Sequence, residues 1–437
     1  MKKLLMLSAS MLLFLFSSVS QNATSLTAKP KSPVLQIAKP ESAGFSAERL
    51  TRIDENINGW LKDGRLNGCV ALIIRNGKII YHKAFGYDDL EKTKPIRTDN
   101  IYRIASQTKA ITSVAAMMLY EEGKFLLGEP VSKYIPEFAK QQVLDKFNEA
   151  DSTYTTVPAK TEITIRQLFT HTSGVSYPQI GGTKEAAAIY AKAGLVAGLG
   201  VEVGRLMADD VKKIAKLPLI HQPGEKFSYG FNTDILGHLV EIFSGMSLDQ
   251  FFRKRIFEPL GMNDTYFYLP ASKQNRLVHL YEEVEGKLQN AKSLTKQNGS
   301  FLINYPNTAG TYFSGGGGLS STTLDYAIFL QMMLNGGEYN GKRLLSRHTV
   351  RMMTMNQIGD IQLGVNKFGL GFVIITERGS SLSPAPEGVF EWGGAFATTY
   401  WADPKENLIG IIYRQLFRST QGEVPYKFKV LVYQALK

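Results

Sequence analysis

The chain has 437 residues, of which 44% are hydrophobic, a composition typical of a globular protein and not of a disordered or fibrous one. Its formal net charge is +11, but the basic residues are scattered and no Lys/Arg run with interleaved aromatic residues occurs. This pattern argues against nucleic-acid binding. The single cysteine, Cys69, excludes an internal disulfide, and its apolar neighbours predict a buried core residue.

The first twenty residues have the pattern of a secretory signal peptide. Lys2 and Lys3 supply a positive start, an apolar run covers residues 4–16, and Ser18 and Ser20 fit the small positions before a cleavage site. The apolar run is too short for a typical membrane span, and no cysteine near it could carry a lipid anchor. We therefore expect a periplasmic or secreted bacterial protein without a membrane anchor.

The next elements are predicted from caps, periodicity and turn residues. Residues 21–41 are rich in Ser, Thr, Lys and Pro and predict a linker. A helix is predicted over 46–62, because a serine N-cap precedes apolar residues that recur on one face. Two β-rich runs flank Asn76 and Gly77, a strong hairpin signal. A second helix is predicted over 106–122.

The later part of the chain changes character twice. From about residue 128 to 312, short helical segments alternate with loops, and no convincing strand pair is visible. After the glycine run "SGGGG", a helix begins near Thr322, which has Asp325 at the spacing of a capping box. Strand patterns then return in "FGLGFVII", "TTYWADP" and "NLIGIIYRQ", and a final helix is predicted over 426–436.

Strands near both ends with helices between them predict an α+β fold. We expect an antiparallel sheet that is flanked by helices and completed by both termini, with a mostly helical inserted lobe. Residues 42–437 would form a single domain. Its α/β part would cover about 42–127 and 313–437, and its helical lobe about 128–312.

Metal and cofactor sites are poorly supported by the sequence. None of the six histidines forms H-x-x-x-H or H-E-x-x-H, and a chain with one cysteine is a poor candidate for a zinc cage. No phosphate-binding G-x-x-x-x-G-K-[ST] loop and no G-x-S-x-G nucleophile elbow occur. We therefore expect no metal and no organic cofactor.

The most suggestive local pattern is S-x-x-K at the start of the second helix. Ser106 and Lys109 are three residues apart, so they share one helix face, and the apolar flanks predict burial. A neutral lysine amine could take the proton of the serine hydroxyl and make it a nucleophile. The same pattern also fits a capped helix with one solvated lysine, and it alone does not decide between the two.

Several motifs taken together resemble a known family. "SQTK", preceded by "YRIA", resembles the nucleophile motif of the serine β-lactamase and penicillin-binding-protein superfamily, and more narrowly of class C β-lactamases and family VIII carboxylesterases. The resemblance covers roughly residues 42–415. Further matching stretches, in the expected order, are "ITIRQLFTHTSGV", "PGEKFSYGFNTDILG", "IFEPLGMNDTYFY", "SGGGGLSSTTLDYAIFLQMMLNGG" and "FEWGGAFATTYWADP".

The resemblance implies a role for each of the first two motifs. Ser106 would be the nucleophile, and Lys109 with Tyr229, the tyrosine of the second motif, would form the acid–base pair. The usual Y-x-N is altered here, because Phe231 stands at the asparagine position and Asn232 follows it. Asn232 would either contact the substrate or cap the next helix, and a cap is favoured.

The third motif departs from the usual K-T-G. Trp392, Gly393 and Gly394 stand in its place and would contact the substrate, as in the esterase branch that the sequence resembles. The backbone N–H groups of Ala395 and Ser106 would form the oxyanion hole, and Phe396 would line an apolar pocket. The lysine that would pair with a substrate carboxylate is missing. His171, in "HTSG", belongs to a structural turn, and Glu391 has no assigned role.

These residues predict a secreted serine hydrolase that cleaves short-chain carboxylic esters through a Ser106 acyl-enzyme. Its partner would be a small-molecule ester, with no nucleic acid, and the oligomeric state is not predicted. One alternative is a β-lactamase or D-amino-acid peptidase, if Arg103 or Arg414 supplied the missing cation. Another alternative is a binding protein on an inactive hydrolase fold. The segments 140–160, 178–206 and 275–312 would wall the cleft.

Overall fold

The structure is a computed structural model, and the signal peptide predicted at residues 1–20 lies outside its described residues, which are 34–178, 182–201, 203–291, 302–417 and 419–437. The α-helices are α1 (Ala47–Lys62), α2 (Thr108–Glu121), α3 (Ile165–Phe169), α4 (Lys184–Lys192), α5 (Met207–Ile214), α6 (Asn232–Ser244), α7 (Leu248–Phe252), α8 (Glu258–Leu260), α9 (Thr323–Leu334), α10 (Arg347–Met353), α11 (Glu377–Ser380) and α12 (Glu423–Tyr433). The strands are β1 (Gln36–Ile37), β2 (Gly68–Arg75), β3 (Lys78–Gly86), β4 (Tyr102–Arg103), β5 (Gln142–Phe147), β6 (Tyr154–Pro158), β7 (Tyr281–Val284), β8 (Lys287–Asn290), β9 (Ser320–Ser321), β10 (Glu338–Tyr339), β11 (Lys342–Arg343), β12 (Lys367–Phe368), β13 (Val373–Ile374), β14 (Phe390–Gly394), β15 (Thr398–Asp403), β16 (Leu408–Tyr413) and β17 (Leu416–Phe417).

An eight-stranded sheet organises the chain, in the order β1-β3-β2-β16-β15-β14-β13-β12. Its strands come from both ends of the sequence, and all its neighbours are antiparallel except the edge pair of β1 and β3. The predicted sheet completed by both termini is confirmed, with one parallel pair added. Residues 36–37 of the segment predicted to be a linker form β1 of this sheet, and residues 21–33 of that segment lie outside the described residues.

Alternation along β2 builds a core on each face of the sheet. Val70, Leu72 and Ile74 point into the larger core, which α2 and α9 cover. Cys69, with Ala71 and Ile73 on the same face, points into the smaller core beneath α1 and α12. Burial raises the pKa of the Cys69 thiol to about 12, which keeps it protonated. The prediction that Cys69 is a core residue is confirmed.

Local signals explain most of the predicted boundaries. The Ser46 side chain accepts a hydrogen bond from the backbone N–H of Arg49 at the start of α1. Asn76 and Gly77 both have positive φ, 53° and 72°, as a tight turn between β2 and β3 requires. Thr322 caps α9 as expected. The last helix, α12, begins three residues earlier than predicted.

The sequence predicts no strand pair between residues 128 and 312, and this prediction is wrong. Strands β5 and β6 form one antiparallel hairpin, and β7 and β8 form another. The five residues of β6 are all exposed, so no apolar alternation marks the strand in the sequence. Among the described residues, no helix is long and apolar enough to cross a bilayer.

Candidate active site

The S-x-x-K pattern lies where the chain turns from β4 into α2. Ser106 is in a 3₁₀ turn, Ala105–Gln107, that leads directly into α2, and it is partly exposed. Ala105 has a φ of 44°, a left-handed conformation that is unfavourable for alanine. One helical turn later, Lys109 brings its Nζ to 3.5 Å from Ser106 Oγ. A strained turn thus presents the hydroxyl to a buried amine.

Lys109 is only 3% exposed, and its amine has fixed partners. Its Nζ donates to the carbonyl oxygen of Gly316 at 2.6 Å and to the hydroxyl of Tyr177 at 3.2 Å. The same Nζ lies 4.5 Å from the centre of the Tyr229 ring, a cation–π geometry. Two of its three tetrahedral positions are therefore occupied, and the third is available toward Ser106.

A buried carboxylate connects these partners. Asp234 in α6 accepts hydrogen bonds from the Tyr177 hydroxyl at 3.1 Å, the Ser314 hydroxyl at 2.6 Å and the Gly316 N–H at 2.9 Å. Burial raises the pKa of Asp234, while the Lys109 cation and these donors lower it. Burial and the Asp234 charge raise the pKa of Tyr177 well above its usual range, so it remains a phenol.

Glycine 316 makes this close arrangement possible. A Cβ placed on Gly316 would lie 2.4 Å from Asp234 Oδ2 and 2.6 Å from the Tyr177 hydroxyl. Sequence analysis missed Tyr177 and Asp234 as members of the site. The one available signal was an aspartate among the apolar residues of α6, since a fully buried carboxylate requires polar partners.

The second and third motifs meet over the Lys109 amine. The ring of Tyr229 lies 5.5 Å from that of Tyr177 and 5.6 Å from that of Trp392, measured between centroids. Trp392 also packs edge-on against Phe368 at 5.5 Å. The structure thus brings Ser106, Lys109, Tyr229 and Trp392 together.

The end of β14 is held against the turn that carries the nucleophile. A Cβ on Gly394 would lie 2.3 Å from the carbonyl oxygen of Ile104, so only glycine allows this approach. A turn then follows, in which the Ala397 N–H donates to the Gly394 carbonyl. Ala395, within this turn, packs on the small apolar cluster that contains Ala105. Ser106 and Ala395, whose backbone N–H groups are the candidate oxyanion donors, therefore both lie next to this contact.

Two residues expected to contact the substrate are fully buried. Phe396 has no exposed surface and packs with Ala105, Leu199 and Tyr305, so it supports the turns and does not line an open pocket. Two of the segments expected to wall the cleft, 178–206 and 275–312, supply Leu199 and Tyr305 to this packing.

Asn232 is also buried, and the cap predicted for it is wrong. It is the first residue inside α6, and no side chain caps that helix. Its amide instead accepts from Ser173 and donates to Nδ1 of His171 at 3.0 Å. Burial and the Lys109 cation hold the pKa of His171 well below its usual range, so the imidazole is neutral. This network supports the expected structural role of the "HTSG" turn.

Neither arginine considered as a source of the missing cation presents a free guanidinium. Arg103 is 1% exposed and donates to the carbonyl oxygens of Ile303 and Val278. Arg414 is 4% exposed and donates to the carbonyl oxygens of Ala397 and Gln421. Burial lowers the pKa of each to about 10. Both guanidinium groups hold backbone segments together. Neither of them therefore replaces the lysine that is missing from the third motif.

Glu391, which had no role in the sequence analysis, forms an ion pair with Lys429 of α12. Among the described residues, no group of three or more His, Cys, Asp or Glu side chains has a geometry that could hold a metal ion.

Comparison with known proteins assigns the chain to a family. The family model described as "Beta-lactamase" matches residues 53–432. A lovastatin esterase of Penicillium rubens is 30% identical over 85% of this chain and 94% of its own length. A protein of Escherichia coli described as "Putative D-alanyl-D-alanine carboxypeptidase" is also 30% identical, over 83% of this chain and 82% of its own.

A solved structure has a similar fold. The structure of EstCE1, described as a hydrolase with promiscuous acyltransferase activity, superposes with a TM-score of 0.75 at 24% identity, over 88% of this chain and 99% of that one. The resemblance inferred from the motifs and the α+β fold are both confirmed. The chain belongs to the β-lactamase family and is a serine hydrolase of the β-lactamase fold.

Proposed function

We propose that this protein is a secreted or periplasmic carboxylesterase that cleaves short-chain esters through an acyl-enzyme on Ser106. The observation that carries the proposal is the replacement of the third-motif cation by Trp392, whose ring packs on Tyr229 beside the Lys109 amine. An ester without a carboxylate needs no cation at this position, whereas a β-lactam or peptide C-terminus gains from one. The related esterase supports the proposal.

The reaction follows from the groups around Ser106. Its Oγ attacks the ester carbonyl while Lys109 and Tyr229 take the hydroxyl proton. The developing oxyanion is stabilised by the N–H groups of Ser106 and Ala395. Tyr229 then donates a proton to the leaving alcohol as the carbon–oxygen bond breaks. Water attacks the acyl-enzyme with the same acid–base pair, releasing the acid and restoring Ser106.

We expect p-nitrophenyl acetate or butyrate to be hydrolysed with a much higher kcat/KM than nitrocefin or penicillin. A β-lactam carries a carboxylate beside its ring, and binding it without a paired cation loses a contact of about 1.5–3 kcal/mol, or one to two powers of ten. Trp392→Lys should reduce the difference in kcat/KM between short esters and β-lactams, because it should improve β-lactam turnover. Faster wild-type turnover of β-lactams than of short esters would overturn the esterase assignment and favour the β-lactamase alternative.

Asp234→Asn should lower kcat/KM. The carboxylate orients Lys109 through Tyr177 and Gly316, and losing one charge-assisted hydrogen bond of about 1.5–3 kcal/mol corresponds to a decrease of at least about tenfold. Steady-state kinetics with p-nitrophenyl butyrate would measure this decrease.

Ser314→Ala is the matched control for this substitution, because it removes a neutral donor to the same carboxylate and keeps the charge. We expect a smaller decrease in kcat/KM. Equal decreases for the two variants would show that the charge of Asp234 makes no contribution of its own.

A further inference from the structure

A cavity adjoins the site at β14, on the side of the strand that faces α12. It has a volume of about 340 Å³ and lies between the sheet and α12. Trp392 and Gly393 contribute to its lining from β14, and Pro425, Tyr426 and Lys429 from α12. Successive residues of a strand point to opposite faces. The Trp392 ring therefore packs toward Tyr229, while Glu391 and Gly393 face α12.

The charged residues among those lining this cavity are Glu391 and Lys429, and they form an ion pair. The side chain of Lys429 is only 10% exposed and that of Glu391 is 24% exposed. The Lys429 Nζ also lies 5.4 Å from the ring centre of Trp401. The cavity thus contains the Lys429 cation next to the third motif. Glu391 of β14, the strand that carries this motif, already neutralises that cation.

We propose that Glu391 determines substrate charge preference by occupying Lys429, so that the site discriminates against substrates that carry a carboxylate. This inference rests on the proposed esterase function and extends it to a substrate class, neutral esters. Trp392 and Gly393, which are expected to contact the substrate, also line this cavity together with Lys429, so the cavity adjoins the candidate ester site. Without Glu391, the ammonium group would be available to a substrate carboxylate placed in this cavity.

The discrimination has a simple physical basis. A substrate carboxylate that bound Lys429 would have to displace Glu391, and the displaced carboxylate would be left unpaired in a partly buried position. It would also approach Glu391 as a like charge. Specificity of this kind arises from a repulsive group and needs no added attraction for the favoured substrate. The buried guanidinium groups of Arg103 and Arg414 offer no alternative partner.

The test compares three chromogenic esters with wild-type protein and variants. Neutral p-nitrophenyl butyrate is the reference, p-nitrophenyl hemisuccinate carries a carboxylate on the acyl side, and 5-butyryloxy-2-nitrobenzoate carries one on the leaving group. For Glu391→Gln, we expect the kcat/KM ratio of one carboxylated ester to the neutral ester to rise about tenfold, the value of one charge-assisted contact. Which carboxylated ester gains shows which half of the substrate faces the cavity.

Lys429→Met should have the opposite effect, because it leaves Glu391 as an unpaired anion. The kcat/KM ratio of the carboxylated ester to the neutral ester should then fall below the wild-type value. The double variant Glu391→Gln/Lys429→Met should return the ratio close to wild type. A purely structural role of the pair would change the rates of all three esters together and leave the ratios constant.

The outcomes separate this inference from the function on which it rests. Unchanged ratios in Glu391→Gln and Lys429→Met, with p-nitrophenyl butyrate still hydrolysed, would overturn the role of Glu391 alone. Absence of p-nitrophenyl butyrate hydrolysis by the wild-type protein would overturn the proposed esterase function and, with it, this inference. If Glu391→Gln fails to fold, the fall in ratio expected for Lys429→Met still decides the question.

Discussion

Ser106→Ala is expected to abolish ester hydrolysis, with a decrease of at least about a thousandfold in kcat, as for removal of a covalent nucleophile. The substitution removes the atom that forms the acyl-enzyme and leaves no side-chain oxygen in its place. The fold should persist, because the Ser106 hydroxyl contacts Lys109 Nζ at 3.5 Å, a long contact whose loss costs about 1 kcal/mol or less. Kinetics with p-nitrophenyl butyrate and a thermal melt would measure both.

Labelling with a fluorophosphonate probe supplies the control for this prediction. Wild-type protein should be labelled at Ser106, and Ser106→Ala should not be labelled. Retention of more than a few per cent of activity in the purified variant would remove Ser106 as nucleophile. A wild-type protein that is neither labelled nor active would support the alternative of a binding protein on an inactive hydrolase fold.

The sheet and its main helices were predictable because their signals are local. Residues of β2 alternate between two cores, Asn76 and Gly77 form the turn after it, and Ser46 caps the first helix. Each signal spans fewer than twenty residues of sequence. The exposed strand β6 has no apolar face to mark it, so no pattern predicted its hairpin.

The candidate site was predictable only where a motif carried the information. The S-x-x-K pattern indicates Ser106 and Lys109, and the resemblance adds Tyr229 and Trp392. The structure brings all four together. The contacts of Lys109 with Tyr177 and of Tyr177 with Asp234 join residues 68 and 57 positions apart. No periodicity in one sequence predicts such a contact, because it is created by packing between distant segments.

The predicted substrate contacts of Asn232 and Phe396 are wrong because they rest on closeness in sequence to a motif. Both follow a motif residue closely in sequence, and adjacency to a motif suggested contact with the substrate. A chain turning away from a site buries the residues that follow, as the tight turn after Gly394 does for Phe396. Adjacency in sequence therefore predicts that a residue supports the site as readily as that it contacts the substrate.

The second large effect is expected at the acid–base pair. Lys109→Ala and Tyr229→Phe should each slow acylation by about two to four powers of ten, the range for a positioned proton-transfer group. Stopped-flow measurement of the p-nitrophenol burst separates acylation from deacylation. Tyr229→Phe keeps the ring that packs between Lys109 and Trp392, so its loss of rate would report the hydroxyl and not the packing.

Lys109→Arg discriminates between a proton acceptor and a fixed charge. The Lys109 amine donates to Gly316 and Tyr177, so the remaining tetrahedral position faces Ser106 Oγ and holds either a proton or a lone pair. A guanidinium stays protonated at any working pH and has no such lone pair. We therefore expect no rescue by arginine. An arginine variant with an acylation rate near that of wild type would show that the site needs only a positive charge there, and that Tyr229 alone removes the proton.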